Sequence, residues 1–360
     1  MRFSKSLIAV AIGFAATSAF AVNVTLYGVI ETGIVAQKEK HENEVIRLGS
    51  QFDLGSRWGM RGEEELNNDY SVGFRLENGF SPKSGETTIG GSGAMFGRES
   101  VVYVRKKGLG RLGLGRAGTL WCGLGSWDMQ LGYAFMGGYG LIGWPIAQNF
   151  AGNFNRVNNA IIAETDWLGP WRVGLMYSNG TTKDDYSWGR NTHYYGAAVN
   201  YKQGRVKTGG AVEATGDTYT NGEKTADDKL IVNYGLEYHL DGWTPMFAYR
   251  YLTQDNGIKA HSFGLSALVP YGNGRFKAAL RYTFGRTTSE AAEADHNTDK
   301  IKNLAAGVAY EYSLSKRTVL KPFVGYSWSD DAWKTQTHLA TDENAIFNGW
   351  QAYFGIHHFF

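Results

Sequence analysis

From Leu230 to Leu240 the chain alternates without interruption: Leu230, Val232, Tyr234, Leu236, Tyr238 and Leu240 share one side of an extended backbone, and Asn233, Gly235, Glu237 and His239 the other. A period of two identifies a strand. Phe276, Ala278, Leu280, Tyr282 and Phe284 repeat the pattern against Lys277, Arg281 and Thr283, as do Leu304, Ala306, Val308, Tyr310 and Tyr312 against Asn303, Gly307 and Glu311. Each apolar face runs for about ten residues, the length at which a tilted strand crosses a bilayer. No segment approaches the roughly 20 uncharged apolar residues that a spanning helix requires. The repeat therefore predicts an all-β chain.

A soluble sandwich would alternate as well, and three further features separate the two folds. Trp167, Trp171, Tyr177, Tyr201, Trp243, Trp328 and Trp350 stand near strand ends, where amphipathic rings favour the headgroup level. The polar faces carry small and charged residues rather than aliphatic ones, as expected of strands lining water. Connections alternate in length. Asn67-Asn68-Asp69, Gly108-Leu109-Gly110, Gly169-Pro170, Gln203-Gly204, Gly242-Trp243, Gly272-Asn273-Gly274 and Ser315-Lys316 are short, whereas 38–46, 81–94, 180–191, 216–228, 286–301 and 331–347 are longer and polar. Short turns on one side and long loops on the other mark a transmembrane antiparallel β-barrel. Sixteen strands are predicted, at 23–36, 51–64, 70–80, 95–107, 110–117, 157–168, 171–179, 192–203, 205–216, 229–241, 244–254, 260–271, 275–286, 302–314, 319–330 and 348–360. An even count puts both termini on the turn side, and a barrel this wide retains an aqueous lumen.

Residues 1–21 read as a cleaved secretory signal peptide: Arg2 and Lys5 precede an apolar run from Leu7 to Ala16 and the small-residue pattern Ala19-Phe20-Ala21. The barrel domain then occupies 22–360. Losing Arg2 and Lys5 from 36 basic residues balances the mature chain against 34 acidic ones, so no net charge draws it to nucleic acid. Cys122, the only cysteine, has no intrachain partner to bridge; it is either inert or an intermolecular thiol.

Residues 118–155 break the rhythm. They are Gly-rich and aromatic, with Trp121, Trp127, Tyr133, Phe135, Met136, Tyr139, Trp144 and Phe150, and Asp128 is their one acidic residue. So apolar a loop is expected to pack inside the barrel.

At this point the motifs Val24-Thr25-Leu26-Tyr27-Gly28-Val29-Ile30-Glu31, Ser56-Arg57-Trp58-Gly59-Met60-Arg61-Gly62-Glu63-Glu64, Gly73-Phe74-Arg75-Leu76-Glu77, Gly110-Arg111-Leu112-Gly113-Leu114-Gly115-Arg116 and Gly355-Ile356-His357-His358-Phe359-Phe360 can be taken together. The chain resembles the general porins of neisserial and other betaproteobacterial outer membranes. The resemblance covers the whole mature chain and rests on the set rather than on one motif. It implies a homotrimer of sixteen-stranded barrels in outer-membrane lipid, passively passing small hydrophilic solutes and ions. It also implies a third loop, about 118–155, folded inward as the constriction. By position Arg57, Arg98 and Arg156 match the family's wall arginines, with Arg61, Arg75 and Arg116 as further candidates. Arg57 shares a face with Gly59, Arg61 and Glu63, opposite Trp58 and Met60. The family's Pro-Glu-Phe-Gly-Gly type of loop segment is missing; Phe135-Met136-Gly137-Gly138-Tyr139 stands nearest, without the carboxylate. Only Asp128 is left to oppose the arginines, which predicts a positive eyelet and an anion preference. Phe360 shares a face with His358, Ile356, Phe354, Ala352 and Trp350, and resembles the signal read by the barrel-assembly machinery.

Other signals carry less. Gly108-Leu109-Gly110-Arg111-Leu112-Gly113 matches a dinucleotide-binding pattern, but Gly113, Gly115 and Gly118 forbid the helix that would hold a pyrophosphate. Adjacent His357 and His358 point to opposite faces of a strand, and no Cys-His spacing suggests a metal. No cofactor is predicted. A barrel hydrolase is the rival of another class, with Ser262 beside His261, or His193 near Tyr195, as its nearest candidates; neither pair has a recognisable signature. A surface adhesin or purely structural barrel is a third reading, one that would dispense with the arginine wall. Lys106, Lys107 and Lys316 read as solvated rim charges near the turns.

Overall fold

Alternation along each strand becomes an inverted distribution of polarity. In the computed structural model, which describes residues 23–40, 42–50, 52–88, 94–132, 156–182, 184, 187–220, 223–255, 258–287, 300–329 and 348–360, Leu265 is 58% and Val324 59% exposed while Glu31, Glu77 and Asn303 are buried. Apolar side chains face out and charged ones face in, the reverse of a soluble fold and the arrangement hydrocarbon demands. The predicted leader, 1–21, and loop residues 133–155 lie outside the described residues.

The strands are β1 (Thr25–Glu39), β2 (Val45–Gly49), β3 (Arg57–Glu65), β4 (Tyr70–Gly79), β5 (Glu99–Lys106), β6 (Gly110–Gly118), β7 (Arg156–Thr165), β8 (Trp171–Ser178), β9 (Tyr194–Gln203), β10 (Val206–Thr215), β11 (Thr218–Thr220), β12 (Glu223–Ala226), β13 (Lys229–Tyr238), β14 (Thr244–Gln254), β15 (Ile258–Tyr271), β16 (Gly274–Thr287), β17 (Lys300–Ser313), β18 (Thr318–Ser329) and β19 (Gly349–Phe359). Antiparallel neighbours follow in chain order, and β1 pairs with β19 from Val29↔Phe359 to Glu39↔Gly349, which closes the cylinder. Closure satisfies every edge, which lipid would otherwise penalise by several kcal/mol for each unpaired backbone group.

β2 and β3 both pair with β1 and make up one broken stave, while β11 and β12 form a separate hairpin beyond β10. Sixteen staves result. Their boundaries follow the predicted spans closely, with one correction. The second strand was expected to run unbroken from 51; it instead begins at Val45, stops at Gly49 and resumes at Arg57, and residues 52–56 lie outside the sheet. The physical reason is a set of inner-wall contacts, described below, that hold this segment more strongly than the ladder would. Short turns close the other end. At the tightest, Gly204 and Gly272, with φ of +56° and +55°, take left-handed conformations that a Cβ would strain. Trp171 packs against Tyr201 at 4.6 Å on this rim, as amphipathic rings do at an interface.

Candidate pore constriction

Inward positions of β3, β4 and β5 alternate as Arg57-Gly59-Arg61, Arg75-Glu77-Gly79 and Glu99-Val101-Tyr103, so the pleat itself delivers charges to one patch of wall. Glu77 lies at its centre. Its carboxylate accepts from Arg98 Nε at 2.6 Å and from Arg75 Nη2 at 2.8 Å, and stands 3.8 Å from Arg57 Nε. Arg75 Nε also reaches Glu99 at 2.7 Å, and Tyr27 donates its hydroxyl to Glu77 at 2.9 Å. Arg156, entering from β7, donates Nε to the Arg98 carbonyl at 3.0 Å. Four guanidiniums thus surround two carboxylates. Nη2 of Arg98 and Nη2 of Arg156 are buried and reach no acceptor among the described residues.

Residues 52–56 are anchored beside this patch. Glu31, on β1, accepts three successive backbone N–H groups, from Asp53 at 2.7 Å, Leu54 at 3.0 Å and Gly55 at 2.9 Å. Converging N–H dipoles form a site for a carboxylate. Phe52 stacks on Tyr353 at 4.0 Å and meets Phe323 at 5.3 Å, and Asp53 pairs with Lys321. Lys321 also reaches Glu311 at 3.0 Å. With its chain turned inward, the segment offers the carbonyls of Leu54 at 2.6 Å and Gly55 at 3.3 Å to Arg57 Nη1. The broken stave therefore fixes the direction of a wall arginine.

Residues 119–132 cross the inner wall on the other side. Leu120, Trp121, Trp127, Met129 and Leu131 are buried against Ala117, Val157, Ile162, Met176, Ala198 and Ala211, an apolar stripe on the inner faces of β6 to β10. Glycines clear the track: a Cβ on Gly113 would lie 2.6 Å from Trp127, and one on Gly235 would lie 2.2 Å from the Leu131 carbonyl. Wall side chains then grip the loop backbone. Glu99 accepts from Ser126 N at 2.6 Å, Arg111 donates to Ser126 O at 2.6 Å while its guanidinium lies 3.8 Å above the Trp127 ring, and Asn200 donates to Met129 O at 3.1 Å. At Gly132 the chain contacts Glu237 and Ser266, on β13 and β15, so the described part of the loop follows the inner wall from β6 round to β15.

The structure gathers Arg57, Arg75, Arg98 and Arg156 into one cluster. Arg61 is one step removed, 5.4 Å from the centroid of the Tyr27 ring, and Arg116 turns away to Gly97 O at 2.7 Å and Asn158 Oδ1 at 2.5 Å. Asp128 does not face the arginines as expected. It accepts from Gly123 N at 3.1 Å and Gln130 N at 3.2 Å, shaping the loop's own turn, and among the described residues no arginine forms an ion pair with it. Burial raises its carboxyl pKa above the usual range. The opposing carboxylates are Glu77 and Glu99, on the wall. Parity could have found both, since each shares a face with an arginine of its own or the neighbouring strand. Cys122 is buried in the loop. Phe360 faces outward, and its ring covers Gly28. Ser262 and His261 point to opposite sides of β15: Ser262 accepts from Thr283 inside, while His261 stacks on Phe284 outside, so the two cannot act together.

Comparison with known proteins agrees with this geometry. A family described as Gram-negative porin matches residues 6–332. An outer membrane porin protein of Bordetella pertussis is 26% identical, covering 90% of this chain and 94% of the relative. The major outer membrane protein P.IB of Neisseria meningitidis serogroup A is 25% identical over 94% and 96% of the two chains. Among solved structures, an anion-selective porin from Comamonas acidovorans superposes with a TM-score of 0.70 at 22% identity, covering 94% of this chain and all of that one. With apolar strands facing lipid, a closed cylinder and charged residues lining its bore, the chain belongs to the Gram-negative porin family and is a passive, water-filled channel of the outer membrane.

Proposed function

We propose that the channel favours anions, filtering small hydrophilic solutes at an eyelet formed by Arg57, Arg75, Arg98 and Arg156 on one side and residues 119–132 on the other, with residues 52–56 narrowing the bore and aiming Arg57. Arg61 extends the basic track, and Arg116 and Asp128 act as supports, through the rim and the loop turn. The observation that carries this reading is the surplus of guanidinium over carboxylate, together with the spare Nη2 groups of Arg98 and Arg156. Low-dielectric walls focus such a field across a narrow bore, and weak multipoint attraction lets a solute leave as readily as it enters. The Comamonas acidovorans porin, one of the solved structures with which the chain superposes, is itself anion-selective.

Residues 1–21 direct export and are removed, leaving 22–360 as the barrel, and Phe360 is the residue that the barrel-assembly machinery reads. Three copies associate through the outward aliphatic faces of the first and last strands, where Ile34, Ile46, Leu48 and Phe354 are exposed. Reversal potentials across a planar bilayer separating unequal potassium chloride solutions test the selectivity, and a clear cation preference would overturn it. Heat-dependent migration on a detergent gel tests the trimer.

A further inference from the structure

On the turn side of the eyelet two tyrosine rings cross the inner wall in opposite senses. Tyr27, on β1, leans over Gly59 of β3, where a Cβ would lie 2.7 Å from its hydroxyl oxygen, and reaches Glu77 of β4. Tyr103, on β5, leans over Gly73 of β4, where a Cβ would lie 2.3 Å from its Cζ, and donates its hydroxyl to Glu63 of β3 at 2.9 Å. Gly59 pairs with Glu77, and Glu63 with Gly73, so the rings occupy two inward levels of the same strands. The level between them holds Arg61 directly opposite Arg75. Both guanidiniums stand over Tyr27, at 5.4 and 4.9 Å from its centroid. Beyond Tyr103, Arg111 lies 5.7 Å from that ring's centroid, and Trp127 meets the ring edge-on at 6.3 Å. Guanidinium and aromatic side chains thus alternate in a band from β1 to the inward loop.

Most cations of the band are committed. Arg75 pairs with Glu77 and Glu99, and Arg111 with Glu164. Arg61 differs: it is exposed to the bore, and among the described residues its side chain forms no ion pair or hydrogen bond. A guanidinium resting on a ring keeps its in-plane N–H groups free for a carboxylate, and its planar fork matches one in two bonds. Arg61 lies four residues along β3 from Arg57, about 13 Å at about 3.3 Å per residue, toward the 67–69 turn. A solute that has cleared the eyelet from outside meets it next. Glu63, one level nearer the turn, is held by the hydroxyls of Tyr103 and Ser71 and repels a second carboxylate. An organic anion is therefore oriented, its charge toward Arg61 and its body toward the half-buried Tyr103 ring.

We propose that this band is a subsite for planar aromatic carboxylates, with the carboxylate on Arg61 and the ring against the face of Tyr103. The assignment rests on the anion preference proposed above and names a solute class for it. Arg61 and the Tyr103 ring are one inward level apart, about 6.6 Å at two residues per level, a span that benzoate covers. A saturated ring of the same size and charge has no flat π face to offset-stack on a tyrosine. Cyclohexanecarboxylate is the more apolar of the two, so simple desolvation would favour it and stacking would favour benzoate. The attraction stays weak, as conduction requires of any site along the path.

The test reads the block of chloride current through single channels in a planar bilayer by benzoate and by cyclohexanecarboxylate, both ionised at neutral pH. In the wild type benzoate should half-block at a concentration about threefold lower or more, the order of one aromatic pair. Tyr103→Leu should erase that preference, and Tyr103→Phe, which keeps the ring and drops the bond to Glu63, should preserve it. Arg61→Gln should weaken block by both carboxylates alike. Equal block by the two carboxylates in the wild type, or a benzoate preference that persists in Tyr103→Leu, would overturn the assignment. Heat-modifiable gel migration establishes that the leucine variant is folded, and the wild-type comparison decides the assignment without it. Reversal potentials in potassium chloride on the same channels distinguish the two failures. An anion-preferring channel that does not discriminate between the carboxylates loses this subsite alone, whereas a cation preference removes the anion preference and the subsite with it.

Discussion

Removing one guanidinium and removing one carboxylate from the same cluster should move ion selectivity in opposite directions. Arg57, Arg75, Arg98 and Arg156 surround Glu77 and Glu99, so Arg156→Gln lowers the positive surplus by one charge and Glu77→Gln raises it by one. For an ion passing about 6 Å away through water-like dielectric, one charge is worth about 0.7 kcal/mol, reduced to about 0.4 kcal/mol over a Debye length of about 10 Å. An anion gains what a cation loses, so the anion-to-cation permeability ratio shifts by about 0.8 kcal/mol, or about fourfold. Arg156→Gln should divide the ratio by about four, and Glu77→Gln should multiply it by about four. Glu77→Gln is isosteric, and Arg156→Gln keeps a polar amide on a shorter side chain, so both leave a hydrogen-bonding group at the wall. Reversal potentials at 0.1 M salt read the effect, and repeating them at 1 M, where the Debye length falls to about 3 Å, should compress both shifts. If both variants moved the ratio the same way, or neither moved it by more than about 1.5-fold, electrostatic control by this cluster would be refuted.

Other substitutions test the two inward segments and the seam. Phe52→Ala removes the ring held between Tyr353 and Phe323, at a local cost of about 3–5 kcal/mol; single-channel recordings should show larger and noisier conductance, and quiet wild-type currents would argue against residues 52–56 as part of the constriction. Glu31→Ala withdraws the acceptor from three N–H groups, those of Asp53 and Gly55 buried and that of Leu54 half-buried, and should both open the bore and lower the thermal midpoint in detergent, because each buried donor left stranded costs about 1–3 kcal/mol. Gly235→Ala places a methyl 2.2 Å from the Leu131 carbonyl, so the loop must lift from the wall; a raised cut-off in liposome swelling with sugars of graded size is expected, and an unchanged cut-off would contradict the loop's role. Phe360→Ala uncovers Gly28 beside the β1–β19 closure and should slow the appearance of heat-modifiable barrel during refolding, with wild-type kinetics counting against it.

The architecture was legible in the chain because strand parity has only two values. Leu230 to Leu240 shows its apolar side to lipid whatever its neighbours do, and a wall sixteen staves around follows from repeating that rule with short and long connections in alternation. Parity also assigns Arg57 to the bore, and the same rule applied to β4 and β5 would put Glu77 and Glu99 there, but which arginines they meet depends on the register between strands. Tertiary structure alone decided where the loops go. Nothing local tells Phe52 to Ser56 to abandon a strand; they do so because Glu31, Tyr353, Phe323 and Lys321, distant in sequence, converge on them. The same holds for Asp128, whose position in the chain suggested a partner for arginine and whose fold makes it a partner of Gly123 and Gln130. A strand's two faces are set by its own backbone period, whereas an inward segment is held by contacts that exist only once the cylinder has closed.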